Sequence, residues 1–585
     1  MTEAVRLVIW DLDETFWKGT ITEGGVQEDQ HFGDVVKELA RRGIVSSICS
    51  KNDFDKAKEV LERLGVWDYF VFPSISWEPK GARIRDIVEQ VQLRAPTILF
   101  IDDNPMNLEE AKFTVPGLQV ADETIIPTLL DNPLLKGKPD PEMKRLADYK
   151  LLEVKQEAKR SIGGNTYDFL RESAITVELN YDIEGNIDRV IELLNRTNQL
   201  NYTKHRVSDD KDIARQQVLE MVSRYDVHTA LVHVRDRFGD YGLVGFFVQG
   251  RGAGYNELRH YCFSCRTLGM FVELWLYRQL DRPQITITGD VISDLFDEEN
   301  RADWITYYDP DLRSTTAESV GQGGILLCGG CDLEAVAHYL QPVTKDFRLF
   351  ANTIRCGGEL RRDHSTIVAK SARQLSDMER DCLKSCGYTE EDLTLDYAST
   401  RYSMIVFSFW ADLNYRIYRQ HSGPTVMTYT PSNMGYADLT RYYEPELRSR
   451  GVPEDGIEIF RYFKANMIHE GLSDERLFKA NAREILSIIP ITTQVVLLAC
   501  SEDATCIAAD LLVRHRLLNQ WLRDIRDEFP NVSLISIGDF VHTPEEHPTA
   551  MHFTRIVYQR LAMRLKHFYR YIEQKRPSVW CIAAE

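Results

Sequence analysis

A short apolar run, Val5 to Trp10, ends at two carboxylates one residue apart, Asp11 and Asp13. No other stretch constrains the chain as much. A strand buried on both faces reads as a continuous apolar run, and open α/β sheets place their chemistry at the carboxyl ends of such strands. Two acids there can bind a hard cation through oxygen. Asp11 can attack phosphorus as a carboxylate nucleophile. Asp13 can protonate the leaving group and then activate water. Taken alone, such a pair is more often a solvated acidic turn.

Three later stretches change that balance. Gly43 to Cys49 is a second apolar run, ending at Ser50-Lys51-Asn52-Asp53. Trp77-Glu78-Pro79-Lys80-Gly81 precedes a helical pattern, and Thr97 to Ile101 runs into Asp102-Asp103-Asn104-Pro105. A hydroxyl, an ammonium and a second acidic pair thus follow successive βα units. This order resembles the haloacid dehalogenase (HAD) phosphotransferase superfamily, whose domain is a Rossmann-like parallel sheet. The resemblance implies Asp11 as nucleophile and Asp13 as acid/base. It implies Ser50 and Lys80 as phosphoryl ligands, and Mg²⁺ held by Asp11, Asp13 and Asp102.

The chain has 585 residues, 43% hydrophobic and 27% charged, which is ordinary composition for several folded domains. A net charge of −19 argues against general nucleic-acid binding and against docking on anionic lipid. The N-terminus lacks a basic stretch followed by an apolar one, and no run of 18 apolar residues exists, so neither a signal peptide nor a membrane span is expected. The 11 cysteines have no framework spacing. Cys262 and Cys265 form one C-x-x-C, and Cys328 and Cys331 another, but they lie too far apart to read as a zinc ribbon. A reduced, cytoplasmic protein is expected.

Read in order, residues 1–125 form the HAD-like phosphatase domain, with a turn-rich insertion at Thr20 to Gly25 over the site and no long cap. Residues 126–164 change character. Pro127, Pro133, Pro139 and Pro141 read as a linker, followed by a charged helix that Gly163-Gly164 would close. Residues 165–315 form an α+β domain. Strands are expected at Ala174–Leu179, Thr229–Val234, Gly242–Val248 and Leu258–Cys265, with a charged turn from Arg235 to Tyr241.

Here the resemblance narrows to the FkbH-like branch of the HAD superfamily. The first-domain motifs carry it, together with Asn198-Gln199-Leu200-Asn201, Asp236 to Gly242 and Ser264-Cys265-Arg266-Thr267-Leu268-Gly269. The resemblance implies a GNAT-like fold for the second domain. It also implies dephosphorylation of 1,3-bisphosphoglycerate, with transfer of the glyceryl group to the phosphopantetheine thiol of an acyl carrier protein in biosynthesis of a polyketide-type or other secondary metabolite. Two positions depart from the pattern: Glu14 where Asn is common, and Met270-Phe271 where Gly-Arg is typical.

Residues 316–585 form a third domain, in which Gly323 to Leu333 reads as strand, glycine turn and helix. Strands are expected at Met404–Trp410, Thr493–Leu498 and Val532–Ile537, before His552 and a final amphipathic helix. The order resembles SGNH/GDSL-type α/β/α hydrolytic domains. Cys331 stands where such domains carry serine, and no Asp lies three residues before His552. Asp412 and Asn433 are possible polar partners, whereas His364, His542 and His547 read as surface or core histidines.

An acyl phosphate attacked at phosphorus loses its acyl activation, whereas thiolate attack at the carbonyl keeps it as a thioester. The reading therefore asks for a cysteine. Cys265 is the first candidate, because Arg266 beside it can lower its pKa; the alternative is a buried strand cysteine. Cys331 gains from a helix N-terminus and with His552 would make a Cys–His pair; the alternative is an inactive scaffold that docks a partner. Asn198, Arg237, Asp240 and Arg266 are candidate contacts to substrate or carrier, or simply charged turns. The expected whole is an α/β multidomain glyceryltransferase/phosphatase. The alternative is a HAD phosphatase acting on a small molecule, with a carrier-docking tail.

Overall fold

Leu7–Trp10 is buried along its length and forms the middle of a five-stranded parallel sheet. The strands lie in the order Ser74–Ile75, Val45–Ser50, Leu7–Trp10, Ile98–Ile101, Gln119–Ala121. The chain adds two strands on one side of Leu7–Trp10 and then crosses to the other. Beside such a reversal the connections diverge and leave a crevice at the strand ends. Helices Gln30–Arg41, Phe54–Arg63, Lys80–Val91 and Pro105–Thr114 connect the strands. Motif residues do local work as well: Asp53 caps Phe54–Arg63 by accepting from Lys56 N at 3.1 Å, and Asn104 caps Pro105–Thr114. The computed structural model describes residues 2–21, 25–27, 30–162, 166–252, 255–309, 323–355, 358–423, 426–428, 430–431, 438–549 and 552–575.

The expected insertion over the site is a two-stranded ribbon, Lys18–Thr20 against Gly25–Gln27. The proline-rich stretch is not a free linker. Leu129 and Leu135 are fully buried, Val5 N donates to Leu134 O at 2.8 Å, and Lys138 N donates to Arg42 O at 2.9 Å. Gly137 turns there with φ +61°, and a Cβ on it would run into the Arg42 carbonyl. Helix Lys144–Ile162 then lays Leu146, Tyr149 and Leu152 on the core of the first domain. The expected cap at Gly163-Gly164 and the expected boundary near 315 lie outside the described residues.

The second domain is built on a seven-stranded, mainly antiparallel sheet. At its centre Val227–Asp236 pairs with Gly239–Gly252, which pairs with Tyr255–Phe263. The turn between the first two is tighter than the expected Arg235–Tyr241 loop, since both strands extend to Asp236 and Gly239. The ladder shifts register between Val232 and His233 and again between Val234 and Arg235, as β-bulges do where a strand must bend.

The third domain centres on a parallel sheet in the order Phe347–Phe350, Gly324–Cys328, Tyr402–Ser408, Gln494–Ala499, Val532–Ser536. Its first strand again lies at a reversal of strand order. Two small antiparallel sheets, not expected from the sequence, are inserted between Phe350 and Gln494.

One hydrophobic cluster runs through both the second and third domains, alongside clusters that each keeps to itself. Helix Arg555–Lys575 packs on helix Cys331–Leu340, and Arg555 is buried against the second domain. Its guanidinium lies 2.6 Å from Glu184 and donates to Val222 O at 3.0 Å. The rings of Tyr181 and Tyr339 meet across the joint at 4.6 Å. Among the described residues no helix is long and apolar enough to cross a membrane.

Candidate active sites

The first site forms where the first parallel sheet reverses. Asp11 directly follows its strand and donates its N–H to Ile101 O at 3.0 Å. Lys80 opens helix Lys80–Val91 behind Pro79. Its ammonium lies 2.6 Å from Asp11 Oδ1 and 2.6 Å from Asp102 Oδ2, and all three side chains are buried. Burial raises the Asp11 carboxyl to about 6, with Lys80 opposing and Asp102 adding to the rise. Burial works against the Lys80 ammonium, but the two carboxylates outweigh it and hold it above its ordinary value. Asn107 Nδ2 donates to Asp102 at 2.9 Å, fixing that carboxylate. Ser50 is buried at the end of its strand, two residues past Ile48, the partner of Trp10, and so reaches the same sheet edge.

Oxygens of Asp11, Asp102 and Asp103 lie within 4.8 Å of one another. An all-carboxylate donor set suits a hard ion such as Mg²⁺. Asp103 was not expected here, although the Asp-Asp pair signalled it. Thr15 Oγ1 lies 3.5 Å from both Asp11 and Asp103 and accepts from Asp103 N at 3.0 Å, which holds the exposed Asp103 beside the buried pair. Asp13, expected as a ligand, lies outside the trio. Its Oδ1 accepts from Trp17 Nε1 at 2.8 Å and it stays half-buried at the rim. Removing one partner of a buried ion pair leaves an uncompensated charge and costs about 3–5 kcal/mol. Lys80→Met is therefore expected to destabilise the first domain by about that much in chelator, with Mg²⁺ restoring part of the loss, as read by urea unfolding of the full chain. Unchanged stability in chelator would refute the bridging role.

Cys265 lies at the joint between the helix Lys144–Ile162 and the second domain. Its thiol donates to Gln199 Oε1 at 3.2 Å, and burial pushes its pKa up. Arg266, expected to lower that pKa, instead reaches Asp148 at 3.1 Å and Tyr241 O at 2.9 Å. Ser264 caps the turn Cys265–Thr267, a structural use for the Ser-Cys-Arg motif. Asp240 is taken by His233 at 2.6 Å and Arg235 at 3.0 Å. Arg237 stacks over Phe238 at 4.7 Å, and Asn198 receives Lys204. Among the described contacts none joins these three residues to Cys265.

The second sheet reversal carries another site. Cys331 begins helix Cys331–Leu340 after the turn Gly329-Gly330. A Cβ on Gly330 would stand 3.0 Å from Asp363 Oδ2 and 3.4 Å from Asn352 Nδ2, so those side chains would have to give by a few tenths of an ångström. Cys331 Sγ lies 3.3 Å from His552 Nε2 across 221 residues of sequence. The His552 ring stacks flat on Tyr225 of the second domain, with centroids 3.8 Å apart and an interplanar angle of 10°. The pair faces a cavity of about 290 Å³ walled by Arg361, Trp410, Tyr415 and Phe553. Arg361 is fixed by Asp363 at 2.6 Å and lies 4.0 Å over the Tyr415 ring.

The expected lowering of the Cys331 pKa by the helix N-terminus does not prevail. Although Cys331 is exposed as a residue, the protein packed around its thiol pushes the pKa up; Asp332 and Glu334 in the same helical turn add to the rise, and Arg361 opposes it. Burial lowers the pKa of His552, with Asp226 opposing. The resting pair is thus a neutral thiol beside a neutral imidazole, which can take the proton as sulfur attacks. Asp412 is not a partner of His552, since it accepts from Ser365 N and Oγ at 2.8 and 2.6 Å in the interior. His364 caps helix Ser365–Ser371, and Asn433 lies outside the described residues. Tyr225, Arg361 and Asp363 carried no local sequence signal.

No protein-family model matches the chain, and no curated protein does. Solved structures do. One is the N-terminal part of a Bacteroides fragilis protein, containing a phosphatase domain complexed with Mg, 31% identical over 20% of this chain, with a TM-score of 0.20. The match spans 36% of that structure's chain. An uncharacterized protein from Corynebacterium glutamicum is 19% identical over 23% of this chain and 98% of its own, with a TM-score of 0.18. A probable YrbI family phosphatase from Pseudomonas syringae is 14% identical over 28% of this chain and 96% of its own, with a TM-score of 0.17.

Proposed function

We propose that the chain takes an acyl phosphate of the 1,3-bisphosphoglycerate type, removes its phosphates and passes the glyceryl group as a thioester to an acyl carrier protein. Cys331 holds the acyl group in between. The observation that carries this reading is the Cys331–His552 contact of 3.3 Å facing a cavity. It replaces Cys265 as the acyl carrier, because that thiol is half-buried and engaged by Gln199. The parallel sheet with its nucleophile at the reversal of strand order supports the SGNH-like reading of the third domain. The antiparallel bulged sheet is in keeping with a GNAT-like second domain.

Cys331 sulfur attacks the carbonyl carbon, the bond from that carbon to the phosphate oxygen breaks, and the thiol proton goes to His552 Nε2. The pantetheine thiol then attacks the thioester, and Cys331 leaves as a thiol again. At the remaining phosphate ester, Asp11 attacks phosphorus and Asp13 protonates the departing hydroxyl oxygen. Water, deprotonated by Asp13, then hydrolyses the aspartyl-phosphate. Lys80 holds phosphoryl oxygens beside Asp11. Mg²⁺, held by Asp11, Asp102 and Asp103, would neutralise phosphoryl charge.

Intact-protein mass spectrometry after mixing with 1,3-bisphosphoglycerate tests this. An acyl adduct is expected on the wild type and on Cys265→Ala, removed by hydroxylamine, and absent from Cys331→Ala. An adduct that survives Cys331→Ala but not Cys265→Ala would return the acyl group to the second domain. Phosphate release with no adduct on any variant would leave a small-molecule phosphatase with a docking tail.

A further inference from the structure

Beside the Cys331 cavity lies a second cluster that the reaction above does not use. Asp503 and Cys506 sit in the loop after strand Gln494–Ala499, and His547 follows the turn Pro544–Glu546. One ligand atom from each, a carboxylate oxygen, a thiol sulfur and an imidazole nitrogen, lies within 4.8 Å of the other two. His547 is only 3% exposed, yet neither ring nitrogen has a hydrogen-bond partner. A buried polar group left unsatisfied is costly, so an imidazole beside a thiol and a carboxylate calls for a ligand. Its orientation is fixed, because the ring stacks on Phe553 at 4.3 Å and 20°. Asp503 is fixed by Thr505, whose N and Oγ1 donate to its Oδ1 at 2.9 and 2.7 Å.

We propose that Asp503, Cys506 and His547 bind one Zn²⁺ ion. The mixed sulfur, nitrogen and oxygen set suits zinc and not Mg²⁺, which takes oxygen alone. Zinc bonds of about 2.0–2.3 Å require the three ligand atoms to draw closer together than the 4.8 Å within which they now lie. Binding releases the Cys506 thiol proton to solvent. The ion would tie the loop after strand Gln494–Ala499 to His547, five residues before the His552 that faces Cys331. None of the three ligands belongs to the acyl or phosphoryl machinery, so this site stands or falls independently of the proposed reaction.

Cobalt titration of the metal-stripped full chain tests it. A cobalt–thiolate charge-transfer band in the near ultraviolet is expected to saturate at one equivalent and to be displaced by Zn²⁺. The carboxylate trio at Asp11 has no sulfur and gives no such band. The band should persist in Cys331→Ala, vanish in Cys506→Ala, and need at least tenfold more cobalt in His547→Gln. Zn²⁺ should raise the unfolding temperature of the wild type but not of Cys506→Ala, whose circular dichroism reports its folding. A wild type with no band, a band that survives Cys506→Ala, or one lost in Cys331→Ala would overturn the assignment.

Discussion

Asp11→Asn is expected to hydrolyse a phosphate monoester on the order of 10⁴- to 10⁶-fold more slowly than the wild type, the usual loss when a nucleophile is removed. Asparagine keeps the shape but cannot form an aspartyl-phosphate. Lys80 retains Asp102 at 2.6 Å, so the buried ammonium keeps a carboxylate partner and the fold should survive. The proposed division of labour makes the test sharper. Acylation of Cys331 should continue in this variant, and the adduct should be heavier than the wild-type one by a phosphoryl group. Hydrolysis of the phosphate monoester at the wild-type rate would remove Asp11 from the chemistry. Activity unchanged by chelator would remove the cation from the Asp11, Asp102 and Asp103 trio.

Cys331→Ala is expected to reduce carrier loading by roughly 10⁴-fold or more, while release of phosphate from a simple monoester stays at the wild-type level. That contrast separates lost chemistry from lost folding. His552→Ala should cost about 10²- to 10⁴-fold, the usual contribution of a general base. His552 is held below its ordinary value, so loading should persist as pH falls through about 6.5 and fail only once the imidazole protonates at lower pH. Loading that drops already near pH 7, or a Cys331→Ala protein that still loads its carrier, would exclude the pair.

The sequence by itself determined the parts whose signal is local. A strand buried on both faces is a continuous apolar run, and the next residue must stand at its carboxyl end. Val5 to Trp10, Thr97 to Ile101 and Gly323 to Leu327 could therefore be read, and with them the positions of Asp11, Asp102 and Cys331. Lys80 could be read as the start of a helix. Tertiary structure decided which side chains converge. Asp103 joins the carboxylate trio and Asp13 does not, because Thr15 and Trp17 hold them, and side chains in a turn follow no period. The Ser-Cys-Arg motif gave no sign that Arg266 would leave its neighbour for Asp148 on another helix. His552 meets Cys331 because helix Arg555–Lys575 docks on helix Cys331–Leu340, with Arg555 anchored in the second domain. Tyr225, which positions the imidazole, comes from that domain. Such contacts depend on how whole elements share a core, which no window of sequence encodes.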